Sequence, residues 1–73
     1  MDIISEHKPS EALLDLMAIA GQDARAKRRA IELCDQELLG LQKAIITAGY
    51  RSFSPDEIDR ATGQFKEIRA KLN

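Results

Sequence analysis

The sequence predicts an all-α protein: an antiparallel helical hairpin, a long helix over about 9–48 and a short one over about 55–72, that dimerises into a helical bundle. Three observations lead there. The composition favours helix, one apolar spacing of three and four residues runs through most of the chain, and helix stop and start signals fall together near residue 50.

Ala, Leu, Glu, Lys, Gln and Arg dominate, Val is absent and Thr is scarce. The first six are good helix formers, whereas β-branched residues suit strands. Charged residues make up 32% of the chain, yet the net charge is only −1. Mixed charge of this kind describes solvated helix faces and argues against a polyanion binder or an acidic tail.

Residues 1–8 read as a flexible leader, and 9–73 as a single helical domain. Ile3 and Ile4 are its only large apolar residues after Met1. The start has no basic stretch followed by a long apolar run, so a secretory signal is not expected. Cys34 is the only cysteine and His7 the only histidine. An internal disulfide is therefore impossible, and neither a metal site nor a cofactor is expected. No apolar run reaches membrane-spanning length, and the lone cysteine with no export signal makes the cytoplasm the expected setting.

Pro9 suits the first turn of the long helix, and Ser10 competes as its N-cap. The seam then runs Leu13, Met17, Ala20, Ala24, Lys27, Ile31, Cys34, Leu38, Leu41, Ile45, Ala48, with Lys27 alone breaking the apolar type. With Met17, Ala24, Ile31, Leu38 and Ile45 as heptad position a, the opposite positions are Asp15, Gln22, Arg29, Gln36 and Lys43, all polar. That is an amphipathic helix. Gly49 supplies the stop, with Tyr50 placed to pack back on Ile45 in a Schellman cap. A second fold remains open. Gly21 could end a first helix and Asp23 could cap a new one, giving a three-helix monomer.

The short helix carries a complete start signature. Ser54 is the N-cap, Pro55 follows at the first helical position, and Glu57 completes a capping box. Phe53 and Ile58 have the spacing of a hydrophobic staple. Asp56 and Glu57 suit the positive helix start, Arg69 and Lys71 the negative end. Its seam is Ile58, Ala61, Phe65, Ile68 and Leu72.

The long helix would span about 60 Å and the short one about 27 Å, at a rise of about 1.5 Å per residue. The short helix would leave Leu13, Leu14, Leu16, Met17 and Ile19 bare. Leu33, Leu39 and Ile46 widen the apolar face beyond a two-helix seam. A homodimer covers both excesses, and two-fold dimers are the commonest assembly.

No catalytic pair, nucleophile or phosphate loop stands out, so an enzyme is not expected. Cys34 sits on the seam with no basic neighbour and reads as an inert core thiol. Arg25, Lys27, Arg28 and Arg29 form the one charge cluster. They spread around the helix, and acidic residues flank them. A solvated or partner-bridging segment fits them better than a nucleic-acid footprint. In an antiparallel dimer two copies would meet as a basic belt. Tyr50, Arg51 and Phe53 have hot-spot composition, although capping and stapling already account for Tyr50 and Phe53.

The expected function is a non-enzymatic protein–protein interaction module: a small dimeric regulator, whether adaptor, chaperone or inhibitor of a larger protein. Phage or mobile-element coding is compatible with that size. Its candidate partner-binding residues are Leu14, Leu16, Ile19, Arg25, Arg28, Arg29, Tyr50, Arg51 and Phe53. The alternatives are a nucleic-acid-binding dimer using the basic cluster and a structural subunit of a larger assembly.

Overall fold

The computed structural model describes residues 8–72. These are all-helical, with three α-helices and one short 3-10 turn. Helix α1 spans Glu11–Ala20, α2 spans Ala24–Ala48, the 3-10 turn spans Tyr50–Ser52, and α3 spans Pro55–Leu72. The described residues contain no strand. They form a body of 42 × 17 × 15 Å.

The continuous helix expected over about 9–48 is instead two helices, as the three-helix alternative has it. The break lies at Gly21–Asp23, and its cause is local. At the end of α1 the N–H groups of Gln22 and Asp23 both donate to the Ile19 carbonyl, at 3.0 Å each. Asp23 then turns extended, with φ −135° and ψ 111°. Its Oδ1 accepts from the Arg25 and Ala26 N–H groups at 2.9 and 3.4 Å. That is an N-cap, satisfying donors that have no partner inside the new helix. Gly21 itself has ordinary helical angles, φ −69° and ψ −20°.

The break lets α1 fold back on α2. Ser10, rather than Pro9, starts α1: its Oγ accepts from the Leu13 N–H at 3.2 Å. The same residue is tied across to α2. Its N–H donates to Glu37 Oε1 at 2.8 Å, and its hydroxyl donates to Oε2 at 2.6 Å. The Glu37 carboxylate thus faces the positive start of α1, where negative charge is favoured.

Gly49 ends α2 with φ 94° and ψ 126°. This is positive φ but not the left-handed cap angle, so the chain does not curl into the expected Schellman contact. Tyr50 stays 59% exposed instead of covering Ile45. The 3-10 turn closes with Ser52 N–H donating to the Gly49 carbonyl, while the Ser52 hydroxyl donates to the Ala48 carbonyl.

Helix α3 opens with the Ser54 hydroxyl accepting from the Glu57 N–H at 3.2 Å. Phe53 and Ile58, the staple pair, are half-buried against the core. The far part of α3 meets the middle of α2. The Cys34 thiol donates to the Phe65 carbonyl at 3.3 Å, and Arg69 Nε lies 3.3 Å from Asp35 Oδ1. Thr62, the one buried polar residue of the core region, donates its hydroxyl to the Ile58 carbonyl at 2.8 Å.

One core joins the three helices: Leu13, Ala20, Ala30, Cys34, Leu41, Ile45, Ala61, Phe65, Ile68 and Leu72. Leu13, expected to be bare within one copy, is fully buried. Leu16 and Met17 are half-buried against the same cluster. The premise that α1 lacks cover within one chain is therefore corrected for these three. Ala24, expected on the seam, is exposed. Ala26 and Ala30 are buried instead, on the opposite flank of the α2 face from Ala24, the flank that carries Glu37 and meets α1.

Candidate functional site

Cys34 sets the chemical character of the interior. Its thiol is fully buried, and its pKa is raised first by that burial and then by the Asp35 carboxylate. It stays a protonated thiol, and a protonated thiol is a poor nucleophile. No group of three or more His, Cys, Asp or Glu among the described residues could hold a metal ion. No helix among them is long and apolar enough to cross a membrane. Every buried side-chain N or O atom among them has a hydrogen-bond partner.

The surface is where unexplained features collect. Helix α1 leaves Leu14 and Ile19 about half exposed, at 49% and 48%. They sit on different flanks of α1, at a spacing of five residues, so they do not form one stripe. Leu39 and Ile46 are exposed at 50% and 60%. A spacing of seven puts them on one face of α2, two turns apart, nearly opposite the buried Leu41. Neither Leu14 and Ile19 nor Leu39 and Ile46 belong to the core cluster or its half-buried margin. Tyr50 lies just beyond the end of the same helix.

The basic cluster is split by a carboxylate. Arg25, Arg28 and Arg29 are exposed and share a shallow hollow of about 190 Å³ with Glu32. Lys27 is exposed as well, but lines a different hollow, beside Gln22, Asp23 and Lys71 at the α1–α2 turn. The four cations therefore do not form one surface. Beside them runs an open groove of about 590 Å³ between α1 and α2, with Ala12, Leu16 and Leu33 among its walls and Asp15, Arg29, Glu32 and Gln36 around them.

The turn residues separate in the same way. Tyr50 and Arg51 are exposed, whereas Phe53 is half-buried on the core and serves the fold. Of the residues expected to bind a partner, Leu16 and Arg29 come together at the groove, and the three arginines at their hollow. The turn trio and the pair Leu14 and Ile19 are not brought into either. The Ser10–Glu37 bridge escaped the sequence reading, because residues 27 apart carry no local signal of contact.

The geometry thus offers an apolar pair and an aromatic along the second half of α2, an open groove and a mixed-charge hollow. No family model, curated protein or solved structure matches this chain.

Proposed function

We propose that this chain is a non-enzymatic protein-interaction module of the cytoplasm, a small helical adaptor or inhibitor. It pairs with a second copy of itself and presents the outer face of α2 to a larger protein. The observation that carries this is the exposure of Leu39, Ile46 and Tyr50, at 50%, 60% and 59%. Covering a large apolar side chain contributes about 1.5–3 kcal/mol when burial is complete. The two aliphatic residues make a ridge of the spacing that a partner helix reads. A polynucleotide partner fits less well, since Glu32 stands among the arginines and the net charge is −1.

The test is a Leu39→Lys/Ile46→Lys double variant. Its helicity and unfolding midpoint should stay close to those of the parent, since surface substitutions usually shift stability by no more than about 0.5 kcal/mol. Its capture of proteins from cells expressing the tagged chain should be lost, while its self-association by light scattering should persist. A parent chain that stays single at high concentration, and captures nothing the variant does not, overturns the reading.

A further inference from the structure

We propose that the Gly21–Asp23 turn is a hinge through which two copies of the chain exchange α1, each α1 docking on the α2 of the other. This rests on the self-association proposed above and names the segment that carries it. Three observations converge on the hinge.

First, the sequence encodes a second, straight state. The three- and four-residue spacing Leu13, Met17, Ala20, Ala24, Lys27, Ile31 passes through the turn without a change of phase, and Lys27 alone breaks its apolar type. Second, little holds the bend. Gly21 already has helical angles, and a Cβ there would meet nothing within 4 Å. The extended backbone of Asp23 and its side-chain cap on Arg25 and Ala26 hold the turn. Third, everything that α1 contributes can be remade between copies. Leu13 refills the same core position, and Ser10 meets the same Glu37 carboxylate. The exchanged dimer keeps these contacts and gains the helical hydrogen bonds of a continuous rod. Exchange of an identical element across a short hinge is a low-cost route to a dimer.

Straightened, the segment from Glu11 to Ala48 would be about 57 Å long at a rise of about 1.5 Å per residue. It would exceed the 42 Å length of the single copy. Two such rods crossing antiparallel at their hinges would extend over about 74 Å by the same rise.

Glu11 and Gln36 are both exposed, at the start of α1 and the middle of α2. Ser10 bonds Glu37, so the two positions face each other across the packed helices. Spin labels at Glu11→Cys and Gln36→Cys report the exchange, with buried Cys34 left in place. Doubly labelled protein is diluted into an excess of unlabelled protein, so that only distances within one chain are read. The closed bend gives one short distance. The straight rod gives about 38 Å between backbones, from about 1.5 Å per residue.

The expected result is a long-distance population that rises with total concentration in step with dimer mass. Asp23→Ala removes the cap from two bends per dimer. At about tenfold per 1.4 kcal/mol and a typical cap contribution, this raises the dimerisation constant about 30-fold. Circular dichroism at each concentration confirms that the helices persist, and the parent chain alone decides if the variant does not fold. A dimer whose intrachain distance stays short overturns the exchange while leaving self-association standing. A chain that stays single at every concentration, in parent and variant, overturns both.

Discussion

Gly21 and Gly49 each follow a helix, but only one of them needs to be glycine. At Gly49 a φ of 94° and ψ of 126° lies where side chains are strained. Gly49→Ala should therefore destabilise the fold by about 1–3 kcal/mol. Gly21, with ordinary angles and open space, should accept Ala with a gain of about 0.4–1 kcal/mol from a less flexible unfolded chain. Urea unfolding at low concentration measures both, and equal effects would contradict the geometry. Cys34 makes a prediction in pH. Burial raises its folded pKa, with Asp35 adding to the effect. In the unfolded chain the thiol loses its proton above about pH 8.5, while the folded thiol loses it only at higher pH. The unfolded state then binds fewer protons, so this contribution to stability is full below that pH and falls as pH rises. Unfolding midpoints at about pH 7 and 10 should drop further for the parent than for Cys34→Ala, and parallel drops would refute the linkage.

At the scale of elements, α3 was legible because its signals are local. Ser54, Pro55 and Glu57 sit within one turn of each other, and the staple residues Phe53 and Ile58 flank them. The bend after α1 was legible only as an alternative. Nothing in Gly21-Gln22-Asp23 forbids a helix, and the apolar phase crosses it unchanged. The folded-back state buries Leu13 and brings Glu37 to Ser10, contacts that appear only once α1 has turned. The Ser10–Glu37 bridge can be weighed directly. Ser10→Ala loses a cap and a hydrogen bond to a carboxylate, and should cost about 1–2 kcal/mol in this half-exposed setting. A double-mutant cycle with Glu37→Ala should return a coupling above about 0.5 kcal/mol, and additive losses would deny the bridge any role.

At the scale of the molecule, the all-helical class was legible from composition and spacing. The inward-facing residues were legible wherever the phase was unbroken, as at Cys34, Leu41, Ile45, Phe65 and Ile68. Ala24 was misplaced, and Ala26 and Ala30 were missed, because α1 folds back on the flank of α2 that carries Glu37 and covers it, a contact that the spacing of one straight helix does not show. The outward residues Leu39 and Ile46 stood off the seam in the sequence as they do in the fold, but no sequence pattern names what covers them. Helix α2 is the spine of the arrangement. Helix α1 joins it through a turn of three residues, and α3 through a loop of six, 49–54. Most contacts between elements therefore link neighbours along the chain rather than its distant ends. Chains built on such local closures fold in microseconds to milliseconds, because little loop entropy is lost before contacts form. The greasy sides of all three helices would then spend little time bare after synthesis.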